Sequence, residues 1–319
     1  MAALGEFAFI ETMLRPHAGE GALDLLDDAA VIDPPQGCQI VITKDALVAD
    51  VHFLANDPPS ACASKAIRVN LSDLAAMGAE PLGCILAIAR PPSIDDAWLE
   101  AFALAFGADL KRFGCPLLGG DTVSTPGPLM LSVTALGTVP RGTALLRGGA
   151  KPGDLVVVSG TLGEGLLGLR HLQGDLDAEP LLAQRLAERY RSPTPRLALG
   201  ARLRGLATAC IDISDGLLAD LQHLLDVSSV GAIIEADGLP IHPLVRPLAE
   251  ARDAALSGGD DYELLFTVPA GARASIDRLA DELGLPLTVI GSITLERSLR
   301  IRDVAGDPLT PPNAGWTHF

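Results

Sequence analysis

A chain of 319 residues exceeds one ordinary domain, and a composition 48% hydrophobic but only 4% aromatic describes globular cores of Ala, Leu, Val and Ile, excluding a disordered or fibrous chain. The net charge of −16 at pH 7, with Lys and Arg scattered, excludes the basic footprint of a nucleic-acid binder, and five cysteines without CxxC spacing argue for buried reduced thiols rather than a zinc site. No stretch reaches the roughly 18 uninterrupted apolar residues of a membrane span, and the first residues lack the basic start and apolar run of a signal peptide, so a cytoplasmic protein with no membrane or nucleic-acid partner is expected.

Glu6 to Leu14 reads as a short amphipathic helix, broken by Pro16 to Gly21. Asp27 and Asp28 then precede an apolar run turned by Pro34, Pro35 and Gly37. A further strand is expected from Gln39 to Thr43, with a polar break at Lys44 and Asp45, so that two strands each carry a carboxylate at one end. Pro58, Pro59 and Ser60 open a helix that continues through Asp73, with Pro81 as its stop and residues 82–90 as a buried strand. Within that helix Ile67, Leu71, Leu74, Ala75 and Gly78 share one face, which puts Asn70, Asp73 and Met77 beside it and Asp73 at the margin of the core.

Ser93 is the expected N-cap of the next helix, which has acids early, Lys111 and Arg112 late and Gly114 as its stop. CPLLGGDTV reads as a strand ending in Gly119, Gly120 and Asp121, and LMLSVTALGTV as a period-2 strand closing the first half. The Gly-, Pro- and Arg-rich segment PRGTALLRGGAKPGD holds the domain boundary, giving expected domains 1–140 and 150–319. LVVVSGTLGEGLLGL follows as strand, glycine turn and helix. GTLGEG lacks the GK[ST] of a phosphate loop and the acid of a dinucleotide fingerprint, so it is read as a turn that lets a helix pack close to a strand. A helical stretch covers Leu181 to Tyr190. In ATACIDISDGLLADLQHLL a strand ends at Asp212, Ser214 or Asp215 caps a helix, and Leu217, Leu218, Leu221, Leu224 and Leu225 form its buried stripe. Gly258, Gly259, Asp260 and Asp261 stand directly before a last apolar strand.

Single acids in turns are ordinary, because Asp caps helices and bonds its own backbone. Here Asp27, Asp28, Asp45, Asp73, Asp121, Asp212, Asp215, Asp260 and Asp261 recur at the ends of expected elements, several of them after apolar strands, where open α/β sheets place ligands. Carboxylates that converge stay ionised only with cations between them, and magnesium, a hard ion shared between carboxylates and phosphates, suits that task. A phosphate-handling enzyme follows.

TKDALVADVHF, NLSDLAAMGAE, GGDTV, LLRGGAKPGD, IDISDG, SGGDDYELLF and GWTHF, in that order and spacing, resemble the thiamine-monophosphate kinase family, part of the superfamily of aminoimidazole ribonucleotide synthetase, selenophosphate synthetase and the hydrogenase maturation protein HypE. The resemblance implies a dimeric, two-domain PurM-like fold of the α/β (α+β) class, with a mixed-sheet N-terminal domain for Mg-ATP and dimerisation. A C-terminal α/β domain then carries its tail near the substrate. The implied activity is transfer of the γ-phosphoryl of ATP to thiamine monophosphate with several Mg2+ ions. It assigns Asp28, Thr43, Lys44, Asp45, Asp73, Asp121, Asp212 and Asp215 to the metals, with Asp45, Asp121 and Asp212 as the catalytic acids. Gly120, Asp121, Arg147 and Ser214 would contact the nucleotide, and His52, Asp260 and Trp316 the thiamine substrate.

Two positions depart from the family pattern. Leu26 stands where a glycine is usual, which costs the loop freedom. Lys44 stands where threonine is common, and a protonated lysine cannot ligate magnesium. Either it points away, leaving its backbone carbonyl, or it replaces the charge of one ion. The rival readings are another ATP-dependent enzyme of the superfamily, close to aminoimidazole ribonucleotide synthetase, and a non-catalytic thiamine-phosphate or nucleotide sensor.

Overall fold

The computed structural model describes residues 6–310, and the chain divides into two compact units, one running to Leu74 and resuming over Ala79–Gly142, the other made of Ala75–Gly78 and the chain from Thr143 onward. The first unit contains α1 (Glu6–Phe9), β1 (Cys38–Val48), α2 (Pro59–Ala76, whose last two residues belong to the second unit), β2 (Glu80–Arg90), α3 (Asp96–Phe113), β3 (Leu117–Ser124) and β4 (Met130–Pro140). Its four strands form one sheet in the order β1-β4-β2-β3. β2 and β3 are parallel, joined through α3, and the other pairs are antiparallel.

Several local expectations are corrected here. Helix α1 runs on as a π turn over Ile10–Leu14, but no strand forms near Asp27 and Asp28: residues 26–37 are loop and turn, since Pro34 and Pro35 bring no N–H to a ladder. The left-handed backbone lies at Leu23, Asp24 and Leu25 (φ 53°, 58° and 57°), whereas Leu26 keeps an ordinary φ of −107°. Strand β1 passes unbroken through Lys44 and Asp45, because an edge strand tolerates polar side chains while its backbone stays paired with β4. Gly78 (φ 67°), not Pro81, ends the turn after α2, and Pro81 is instead the second residue of β2, beside an irregularity in its pairing, a position where proline is tolerated. Asp95 rather than Ser93 caps α3, accepting the Trp98 N–H at 2.8 Å. Asp121 lies within β3, not at its end.

Helix α2 covers one face of this sheet, with Leu74 against Gly137 of β4, and is tied to α3 by a buried bidentate pair, Arg68 to Asp109, at 2.7 and 2.8 Å. The other face is open. Ile40 and Ile42 of β1, Ile85 of β2 and Val123 of β3 are exposed on the sheet.

The second unit contains β5 (Leu155–Ser159), α4 (Glu164–Gln173), α5 (Pro180–Arg191), α6 (Leu197–Leu203), β6 (Ala209–Asp212), α7 (Leu217–Ser228), β7 (Gly231–Glu235), α8 (Ala251–Ser257), β8 (Leu264–Val268), α9 (Arg273–Leu283), β9 (Leu287–Thr294), β10 (Leu299–Arg302) and β11 (Pro308–Leu309). Its strands make a mixed sheet in the order β11-β10-β7-β9-β5-β8-β6. Both faces are covered, which is why β5 and β8 read as unbroken apolar runs. Val156, Val158 and Leu265 pack with Leu217, Leu221, Leu224 and Leu225 of α7, while Val157, Leu264 and Phe266 pack on the opposite face with Leu199 and Leu203 of α6 and Ile276 and Leu279 of α9.

Candidate functional site

Asp45 stands in the middle of β1 on the face that α2 covers. Its N–H donates to Asn70 Oδ1 at 3.1 Å, and Asn70 is anchored through its own amide on the Ala66 carbonyl at 3.0 Å. Thr43, two residues back and therefore on the same face, donates its hydroxyl to the Asp73 carboxylate. Burial, with the charge of Asp73 adding to it, pushes Asp45 up to about 6 against the pull of Lys44. Thr43, Asp45 and Asp73 are thus brought together as a set of hard oxygens, with two acids whose charges oppose one another. That donor set fits a magnesium ion.

Alternation along β1 gives Lys44 to the opposite face. Its ammonium donates to Ser132 Oγ at 2.7 Å, and the Ser132 hydroxyl donates to the Asp45 carbonyl at 3.0 Å. The Lys44 side chain is thus turned to the face opposite Asp45 and Asp73. Strand pairing also places Ala46, Ser132, Ala87 and Asp121 in one row, so Asp121 shares that open face, while Asp45 shares a row with Val133, Leu86 and Gly120. Gly120 admits no side chain, since a Cβ would stand 2.1 Å from the Leu86 carbonyl oxygen. Gly120 and Asp121 line a cleft of about 220 Å³ together with Asp27, Asp28, Leu25 and Thr122. His52 follows β1 in a tight turn, where its Nδ1 accepts the Val48 N–H at 3.1 Å.

In the second unit Asp212, buried, ends β6, and Ser214 and Asp215 occupy the turn before α7. Neither caps the helix. Gly216 is the N-cap and has no side chain to offer; instead Asp220, from the first helical turn, accepts the N–H groups of Ser214, Asp215 and Gly216 at 3.0, 3.0 and 3.1 Å. Burial and the nearby Asp215 charge raise Asp220 to about 7, although its three backbone bonds oppose the shift. A larger cavity of about 780 Å³ is lined by Asp215, His223, Leu299, Arg300, Ile301 and Leu309.

The loop carrying Asp260 extends the β6–β8 pairing. Ile213 N–H donates to the Glu263 carbonyl at 2.9 Å, Tyr262 N–H to Ile213 at 2.8 Å and Asp260 N–H to Ser214 at 2.9 Å. Asp260 itself is left-handed, with φ of 66°. Its neighbour Asp261 is buried and accepts the N–H groups of Gly163 and Gly165 at 2.6 and 3.1 Å; burial pushes it up to about 7 against the attraction of Arg189. Glu263 accepts Ser159 Oγ at 2.6 Å, Arg196 Nε at 2.6 Å and Arg189 at 3.2 Å. Burial pushes Glu164 up, but hydrogen bonds from Arg185 and Thr161 and the charge of Arg189 carry it below the usual range. The GTLGEG glycines therefore serve a close approach to this loop and to α8 rather than to a strand: a Cβ at Gly165 would stand 2.5 Å from Asp260 and one at Gly163 2.7 Å from Ala255.

Arg147 is exposed, and its carbonyl accepts the Ser228 hydroxyl at 3.4 Å. Trp316 lies outside the described residues. Among the described residues no three His, Cys, Asp or Glu side chains are grouped closely enough to hold an ion unaided. Sequence reasoning missed Ser132, Asp220 and Glu263, and it singled out Asp261 among the acids without giving it a role. The legible signal for Asp220 was an acid inside the leucine stripe of α7, one place before Leu221.

Residues 26–139 match the N-terminal domain of AIR synthase related proteins and residues 151–304 match its C-terminal domain. A thiamine-monophosphate kinase of Caulobacter vibrioides is 42% identical over 323 residues, covering 98% of this chain and 90% of that protein. The crystal structure of a thiamine-monophosphate kinase from Stenotrophomonas maltophilia superposes with a TM-score of 0.86 at 44% identity, covering 96% of this chain and 98% of that one. The structure of AaThiL complexed with AMPPCP and TMP superposes with a TM-score of 0.78 at 30% identity, covering 99% of this chain and 97% of that one.

Proposed function

The chain belongs to the thiamine-monophosphate kinase family of AIR synthase related proteins, and from that premise we propose how its residues transfer the γ-phosphoryl of ATP to thiamine monophosphate, giving thiamine diphosphate and ADP. The observation that carries the reading is likeness over nearly the whole chain to a structure holding both AMPPCP, an ATP analogue, and TMP, the acceptor. A phosphate oxygen of thiamine monophosphate attacks the γ-phosphorus, and the bond to the bridging oxygen of ADP breaks in line. No protein nucleophile is needed, because phosphoryl transfer asks chiefly for positioning and charge neutralisation.

Magnesium supplies that neutralisation when bound. Asp28, Asp45, Asp73 and Asp121, with Thr43 and the Lys44 carbonyl, would hold ions in the first unit, and Asp212 and Asp215 would hold them in the second; the all-oxygen donors are the support. Gly120, Asp121, Arg147 and Ser214 contact the nucleotide. Arg147, exposed and basic, suits a phosphate fork. His52, Asp260 and Trp316 are assigned to binding the thiamine substrate. Because His52 Nδ1 accepts a backbone N–H, its neutral ring carries the proton on Nε2 as a donor. Asp260 offers a counter-charge to the cationic thiazolium.

The N-terminal domain binds Mg-ATP and pairs with a second copy through the open sheet face, whose Ile40, Ile42, Ile85 and Val123 would otherwise lie in water. The C-terminal domain serves the substrate. A cytoplasmic location accords with five free thiols.

The test is ADP release from ATP with Mg2+ and with chelator, offering thiamine monophosphate, free thiamine or formylglycinamidine ribonucleotide, with products identified by mass. Magnesium-dependent thiamine diphosphate from the first acceptor alone is the expected result. Turnover of the purine precursor would move the chain to a sister activity, and binding without turnover would make it a sensor.

A further inference from the structure

The turn between β6 and α7 has the form of an anion cradle that is already filled. Three successive N–H groups, those of Ser214, Asp215 and Gly216, converge on one oxygen, Asp220 Oδ2, at 3.0, 3.0 and 3.1 Å. Converging amides ahead of a helix form a ready-made site for an anion such as phosphate. Here a carboxylate from the chain takes that place, and it is buried, with 3% of Asp220 exposed.

The same turn is gripped from its carbonyl side. Asp260 N–H donates to Ser214 at 2.9 Å and Tyr262 N–H to Ile213 at 2.8 Å. The approach leaves no room for side chains: a Cβ at Gly259 would stand 2.5 Å from the Ser214 oxygen, and one at Gly216, whose φ is 121°, 2.7 Å from the Ser257 oxygen. The 258–263 loop thus fixes the carbonyls of the turn and Asp220 fixes its amides. What remains to face a ligand is the side chains of Ser214 and Asp215, both half-exposed.

We infer that Asp220 is a positioning residue for phosphoryl transfer: it fills the amide cradle with its own carboxylate, holds Ser214 and Asp215 in register for the nucleotide and its cation, and shuts the cradle to bare phosphate. This inference rests on the roles proposed above for Asp212, Ser214 and Asp215. It accounts for a phosphate-handling turn that has amides in the right arrangement yet meets its ligand through acidic side chains. Losing the carboxylate would leave three donors in search of an acceptor, and a free anion is the natural replacement.

The experiment compares wild type with Asp220→Ala and Asp220→Asn, the second being isosteric and keeping one acceptor oxygen. Amide hydrogen exchange should accelerate at residues 214–216 in both variants, with the amides of β6 and of the body of α7 unchanged. The magnesium concentration for half-maximal turnover and the KM for ATP should rise about 10- to 100-fold, as for other groups that orient a metal ligand, with kcat changing less and Asp220→Asn between wild type and Asp220→Ala. Inorganic phosphate without nucleotide should raise the unfolding temperature of Asp220→Ala and not of wild type. Unchanged exchange at 214–216 would overturn the inference, as would a fall in kcat and unfolding temperature with KM and magnesium requirement held at wild-type values. If wild type itself makes no thiamine diphosphate, the kinase reading falls, and the exchange and phosphate measurements still decide whether Asp220 fills the cradle.

Discussion

Asp121 is exposed in the row Ala46–Ser132–Ala87–Asp121, beside a glycine that no other residue can replace. Asp121→Asn keeps the volume and removes the charge. Stability should stay within about 0.5 kcal/mol, as for other exposed sites, while magnesium-supported turnover falls by about 100-fold or more, since several kcal/mol of charge stabilisation is lost. Parallel thermal unfolding and ADP-release assays check both halves, and near-wild-type turnover would remove Asp121 from the metal set. Asp261 makes a different prediction. Its folded pKa of about 7 lies above the ordinary 3.8, so the native state keeps a proton that the unfolded chain gives up between those values. Its contribution is therefore present in full below pH 3.8 and is lost as pH rises through 7, at no more than about 1.4 kcal/mol per pH unit. Urea unfolding should show Asp261→Asn costing more at pH 5 than at pH 8; the opposite trend would mean that Arg189 keeps Asp261 ionised.

Helix ends illustrate what one element needs from another. Gly78 turns left-handed after α2, and a Cβ there would stand 3.1 Å from Arg204 Cγ and from Leu145 Cγ. Gly78→Ala should cost about 1–2 kcal/mol, the price of a left-handed L-residue, read as a lower unfolding temperature with the activity of the folded protein retained. An unchanged midpoint would show that the turn relaxes. The stripe Ile67, Leu71, Leu74 and the leucines of α7 were legible because helical periodicity is a local property, and Asp73 fell at the margin of the core as that period requires. The choice of Asp95 over Ser93 as cap and of Gly78 over Pro81 as stop was not, because both members of each pair are competent signals and packing selects between them.

At the scale of the whole molecule, the open face of the first sheet carries the exposed Ile40 and Ile42 on β1, Ile85 on β2 and Val123 on β3. Ile42→Glu should convert a dimer into a monomer in sedimentation velocity, at little cost to the unit itself because Ile42 is 64% exposed. A monomeric wild type would refute the pairing assigned to this face. Two covered faces in one sheet and one in the other explain the contrast between the continuous apolar runs of β5 and β8 and the mixed pattern of β1.

The sequence by itself determined the family, the mixed α/β class, the order of the acidic motifs and the helical faces, since each depends on residue identity and on spacing within a single stretch. The tertiary structure alone decided which acids share a face. Carrying β1 through Lys44 and Asp45 sent these neighbours to opposite sides of the sheet, grouped Asp45 with Thr43 and Asp73, and left Asp121 on the open face with Lys44. Side chains alternate with period two along a strand, so where strand pairing begins and ends fixes every orientation within it, and that pairing belongs to partners distant in the chain. Asp220 was hidden for the same reason: its three donors become a cradle only when the 258–263 loop and α7 close on one turn.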